Sequence, residues 1–154
     1  MALKVSKALV LAAEIQDQPG GLAGALAPLA QAGANLEFLI ARRRADMPGR
    51  GVVFIPQPKG KKAHDAAKAA GFNPTATIPT LRVEGADKPG LGYQIMRAIA
   101  DAGVSMRGAS AAVIGKNFVA YIGFDTTEGA DAAAKAVRAI KVGGAKPKSK
   151  RRGR

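Results

Sequence analysis

Asp17-Gln18-Pro19-Gly20 returns seventy residues later as Asp87-Lys88-Pro89-Gly90, and this pair of turns decides how the 154-residue chain is read. Pro and Gly punctuate secondary structure, so a repeated Pro-Gly turn marks a repeated junction. The same spacing carries Glu14 onto Glu84, Leu11 onto Leu81, Ala32-Gly33 onto Ala102-Gly103 and Phe54 onto Phe124. It also carries Ala63 and Ala66 onto Ala133 and Ala136. Leu26, Leu29 and Leu36 fall on Met96, Ile99 and Met106, which keeps them apolar. One spacing held from a strand through two helices indicates an internal duplication.

Outward from the first turn, Ala8–Ile15 reads as a strand. Leu22, Leu26, Leu29 and Ala30 follow at helical spacing, with Pro28 inside the helix and Gly33 ending it. Strands are expected at Asn35–Arg43 and Gly51–Ile55, a helix at Lys61–Ala70 closed by Gly71, and a final strand at Thr75–Ile78. The second copy gives a strand at Thr80–Glu84, a helix from Lys88 to Ala102, strands at Val104–Ile114 and Asn117–Phe124, and a helix over Thr127–Ile140. Asp125 and Glu128 have the spacing of an N-cap and its returning acid. Only Val142 follows before Gly143-Gly144, so this copy lacks a last strand of its own: its sheet edge is short, or another segment covers it.

Two β-α-β units split by a hairpin form the ferredoxin-like arrangement. The expected class is therefore α+β: two ferredoxin-like βαββαβ modules, each an antiparallel sheet with helices on one face. The modules span residues 1–78 and 79–142, and residues 143–154 are read as a disordered basic tail. The two are expected to pack sheet edge to sheet edge or through their helices.

Composition bounds the chemistry. The apolar residues are mostly small, with five Phe, two Tyr and no Trp, so each half-core is thin and a homodimer is expected. The absence of Cys excludes disulfides, thiolate chemistry and Cys-ligated zinc. No secretory signal is apparent, and the apolar runs are shorter than the ~20 residues of a spanning helix, so a soluble cytoplasmic protein is expected. The net charge is +13, of which seven cations lie from Lys141 onward without an acid, on a Gly/Lys/Pro/Arg stretch that cannot pack a core.

The pattern Asp-x-Pro-Gly-x-Leu, helix, Gly-x-Asn-aliphatic resembles the ACT domain family, in particular its stand-alone tandem proteins. Its residues are Asp17, Pro19, Gly20, Leu22, Gly33, Asn35 and Leu36, and then Asp87, Pro89, Gly90 and Gly103, with Ser105 in the Asn position and Met106 after it. Leu22 falls on Gly92, with Leu91 beside it. The resemblance covers about residues 7–140. It implies a regulatory module that binds an amino acid or similar metabolite where modules meet. The ligand would then lie against Asp17, Gln18, Pro19, Gly20, Gly21 and Leu22 with Asn35 and Leu36. In the second copy it would lie against Asp87, Lys88, Pro89, Gly90, Leu91 and Gly92 with Ser105 and Met106.

That use fits the chemistry. A helix start carries roughly half a positive charge and free N–H groups, which suit a carboxylate. Asp17 suits an ammonium, and Asn35 offers both a donor and an acceptor. A plainer account stays open: Asp-x-Pro-Gly is a good strand-to-helix turn, and Asn35 a turn residue satisfying its own backbone.

No catalytic constellation is found, so the chain is read as a non-enzyme with no cofactor and no metal. His64 stands alone on the polar side of a short helix, and the acids have no metal-binding spacing. Gly108–Ala112 is not a nucleophile elbow, and no phosphate loop is present. Two rival functions remain. One is a ligand-free dimerising module. The other is nucleic-acid binding through Arg42, Arg43 and Arg44 with Lys148, Lys150, Arg151 and Arg152, at least as weak non-specific contact by the tail. The sheet-face mode of RNA binding needs exposed aromatics, and Phe118 and Tyr121 are spaced to lie on opposite faces of their strand.

Overall fold

The computed structural model describes residues 2–73 and 76–141. Its elements run β1 (Lys4–Gln16), α1 (Gly21–Gln31), β2 (Ile40–Arg43), β3 (Arg50–Pro56), α2 (Lys61–Ala69), β4 (Ile78–Ala86), α3 (Leu91–Asp101), β5 (Gly108–Ile114), β6 (Asn117–Gly123) and α4 (Thr127–Arg138). The class is α+β, as expected. All six strands join one antiparallel sheet in the order β2-β3-β1-β4-β6-β5.

The middle of that sheet explains the second copy's missing strand. β1 is thirteen residues long. Val10–Gln16 pair with β3, whereas Lys4–Val10 pair antiparallel with Ile78–Glu84 of β4. The first strand of each copy thus stands where the other copy needs its fourth. The expected first strand, Ala8–Ile15, was too short because the alternation Leu3-Lys4-Val5-Ser6 reads as polar until its partner is known. The separate strand at Thr75–Ile78 does not form within the described residues: Ile78 opens β4, and Thr75 lies outside them.

Odd-numbered residues of β1 and β4 face the helices. Leu11 and Ala13 bury against Leu29 of α1 and Ala67 of α2, with Phe72 closing that core. Leu3, Leu81 and Val83 bury against Ile95 and Ile99 of α3 and Ala133 and Val137 of α4. All four helices therefore cover one face. Both α1 and α3 begin after a glycine at φ +83 (Gly20 and Gly90), without a side-chain cap. Gly33 and Gly103, at φ +70 and +74, stand just beyond the C-caps Ala32 and Ala102. These left-handed values are those glycine adopts without strain.

Several boundaries are corrected. Residues 35–39 and 104–107 are not strand, so β2 and β5 begin at Ile40 and Gly108. The second long helix starts at Leu91 rather than Lys88, because the left-handed Gly90 cannot belong to a right-handed helix. The cap of α4 is Thr126, not Asp125: its Oγ accepts from the N–H of Gly129 at 3.0 Å. The repeat also changes register. Leu9 accepts from the Gln57 N–H, and Pro79, seventy residues on, accepts from Phe124, which is only 67 beyond Gln57. Phe54 therefore matches Tyr121 rather than Phe124, and Ala63 and Ala67 match Ala130 and Ala134. The cause is the hairpin. Arg43 and Arg50 are joined by a six-residue loop, whereas Ile114 and Asn117 are joined by a tight turn at Gly115. Among the described residues no helix is long and apolar enough to cross a membrane.

Candidate functional site

Where β1 turns into α1, the chain makes a corner. The Asp17 N–H donates to the carbonyl of Gly49 at 3.0 Å, which fixes the corner to the tip of the β2–β3 loop. A cavity of about 220 Å³ opens there, lined by Asp17, Gln18 and Leu22 together with Ile15, Arg42 and Arg43. Arg43 pairs through Nε with Asp17 at 2.7 Å. The Asp17 side chain is about one-third exposed and that of Arg43 lies largely in solvent. A carboxylate and a guanidinium side by side offer complementary partners for the ammonium and carboxylate of a zwitterion.

The other expected residues fall less evenly. Pro19 and Gly20 are exposed, with open space over Gly20. Gly21 has none: a Cβ there would collide with the carbonyl oxygen of Gln16, so this glycine is required by the fold itself. Asn35 is exposed and is not among the residues that line the cavity, and Leu36 packs against the first core. In the second copy Asp87 is tied by its N–H to Lys116 in the equivalent way, and Asp87, Lys88, Pro89 and Gly90 are exposed. There Leu91 is buried, Gly92 is half-buried, Ser105 and Met106 are exposed, and the strand position matching Arg43 is Val113.

The arginine run divides three ways. Arg43 goes to Asp17. Arg44 donates to Asp46 at 2.6 Å and to Glu14 at 3.2 Å, and Arg50 pairs with the same Glu14. The hydrogen bond with Asp46 raises the Arg44 guanidinium above its ordinary value and holds the Asp46 carboxyl below its own. Of the four arginines of this hairpin, Arg42 alone has no acidic partner among the described residues. Lys148, Lys150, Arg151 and Arg152 lie outside the described residues.

The sheet face turned away from the helices carries a feature the sequence reading missed. Phe38, just before β2, packs against Tyr121 of β6 with ring centroids 4.1 Å apart and the rings tilted by 41°, although three strands separate β2 from β6. The sheet therefore curls, and its open face becomes a trough of about 220 Å³. Its walls are Val10, Ile40, Val52, Phe54 and Ile78, and Arg42 and Arg107 line it from the two edge-strand sides. As expected, Phe118 and Tyr121 take opposite faces: Phe118 is buried with the second core, Tyr121 lines the trough. Burial raises the Tyr121 phenol above its ordinary value, so it stays protonated. The available signal was the unbroken apolar run Val52-Val53-Phe54-Ile55, which marks a strand apolar on both faces.

No known family model matches the chain, and no curated protein does. Solved structures do. The ligand-free regulatory subunit of aspartate kinase from Thermus thermophilus is similar with a TM-score of 0.62 at 22% identity, over 89% of this chain and 95% of that one. The same subunit from Thermus flavus gives 0.62 at 21%, over 89% and 95%. A protein of Bacteroides thetaiotaomicron gives 0.67 at 16%, over 86% and 88%. At these identities the likeness establishes the fold alone. Among the described residues no group of three His, Cys, Asp or Glu is placed to hold a metal.

Proposed function

We propose that this chain is a non-catalytic regulatory protein that binds a free amino acid or a similar small zwitterion at the corner between β1 and α1. The observation that carries the reading is the Asp17–Arg43 pair in the wall of a cavity, beside the uncapped start of α1. Asp17 takes the ammonium, while Arg43 and the helix start take the carboxylate. Gln18 and Leu22 meet the side chain. The fold shared with regulatory subunits of aspartate kinase supports the same class of role. Ligand binding would favour one arrangement of the chain for a partner to read.

Homodimerisation belongs to this reading, with β5 as the contact. That edge strand is exposed along nearly its whole length and ends in the exposed pair Val113 and Ile114, whereas the opposite edge carries Arg42 and Arg43.

A thermal-shift panel of the twenty amino acids tests the proposal. A ligand at a hundredfold excess over its Kd stabilises by about 2.7 kcal/mol. One chemical class is expected to raise Tm in the parent protein and not in Asp17→Asn. Gly20 is a poor site for the test, because any side chain is strained at φ +83. A flat panel, or an equal rise in Asp17→Asn, removes the assignment.

A further inference from the structure

We infer that the concave face of the sheet is a second binding site, for a small monocarboxylate with an apolar body and no ammonium group. Six of the eight arginines in the described residues have a partner: five pair with carboxylates, and Arg138 donates to the carbonyl of Val5. The two whose guanidinium groups have none are Arg42 and Arg107, and both line this trough. They come from opposite edges of the sheet, brought to one cavity by its curl. Two like charges facing one apolar hollow repel each other unless an anion lies between them. Guanidinium groups bind carboxylates through paired, charge-assisted hydrogen bonds.

The rest of the lining sets the other half of the ligand. Among the described residues no Asp or Glu lines the trough, so an ammonium has no counter-ion there. This separates it from the corner, where Asp17 stands ready for one. Apart from the hydroxyls of Ser110 and Tyr121 the floor is aliphatic and aromatic, and Thr80, the one buried polar residue among the described residues, already spends its hydroxyl proton on the carbonyl of Ile78 at 3.0 Å. Such a floor rewards an apolar body through burial. A volume of about 220 Å³ lies below the ~300–1,000 Å³ of most ligand pockets, so the body is one ring or one branched chain.

Calorimetric titration of the full chain with phenylacetate and 4-methylpentanoate tests this, with phenylacetamide and phenylalanine as probes that lack the charge or add an ammonium. The carboxylates are expected to bind at least about tenfold more tightly than both controls, and to weaken by at least about tenfold in Arg107→Gln, the loss of charge-assisted hydrogen bonds to an anion. Arg107 does not line the corner and is exposed, so the variant folds and leaves the amino-acid site alone. Asp17→Asn, which removes the corner site, is expected to leave phenylacetate binding unchanged. The inference is overturned by no heat with either carboxylate at millimolar concentration, by equal affinity in Arg107→Gln, or by a dimer of the parent chain that Phe54→Lys dissociates, which would assign the trough to a second copy.

Discussion

The two corners share a backbone and differ in chemistry. Gly20 and Gly90 have the same φ, both helices start without a side-chain cap, and the Asp17 and Asp87 N–H groups each donate a hydrogen bond to a hairpin carbonyl. Yet Asp17 pairs with Arg43 in the wall of a cavity, whereas the matching strand position beside Asp87 is Val113. The cores differ in the opposite sense. The second half buries Leu91, Ile95, Ile99, Phe118 and Phe124 among a larger set than the first half gathers around Leu29 and Phe72. One copy holds the charged corner and the other supplies more of the buried mass. A duplicated backbone sets where a site can be, and side chains then decide which copy has one.

The largest expected effect tests whether the halves are energetically one body. Ile99→Ala in the larger core and Leu29→Ala in the smaller each remove a fully buried side chain, and each should cost about 2–5 kcal/mol. Because β1 and β4 pair along seven residues and serve both halves, both variants should lower one shared unfolding transition. Two transitions in the calorimeter, each sensitive to one variant, would separate the halves.

A smaller effect contrasts neighbouring glycines at the two helix starts. Gly21→Ala drives a Cβ into the Gln16 carbonyl, and a backbone clash of this kind should destabilise by about 1–3 kcal/mol. Gly92→Ala meets nothing within 4 Å in the first turn of α3, and should stabilise by up to about 1 kcal/mol through helix propensity and a stiffer unfolded chain. Denaturant midpoints read both signs. Equal losses would mean that the two corners are not built as described.

The smallest effect distinguishes the hairpins. In the longer one Arg44 holds the Asp46 carboxyl below its ordinary 3.8. The stability this contributes is present above the unfolded-state value and is lost as pH falls through the folded one. Asp46→Asn should therefore lose a little stability near neutrality, little because both groups are exposed, and that loss should vanish as pH falls below about 4. A neutral-pH loss comparable to a core variant would contradict this.

Much of the fold was legible because its signals are local. The Pro-Gly turns, the closing glycines at Gly33 and Gly103 and the helical spacing of Leu22, Leu26 and Leu29 act within a few residues. What stayed hidden depends on distant partners. Lys4–Val5-Ser6 becomes strand only because β4 lies beside it, and the repeat slips by three residues only because one hairpin is longer. The trough joins Phe38 to Tyr121 through the curl of a whole sheet, which no short window of sequence records.

The most direct test is the stoichiometry of amino-acid binding, measured by titration calorimetry on the parent chain, Asp17→Asn and Asp87→Asn. One ligand per chain is expected, lost in Asp17→Asn and retained in Asp87→Asn. Two ligands per chain, or binding that survives Asp17→Asn, would contradict the assignment of the charged corner as the site.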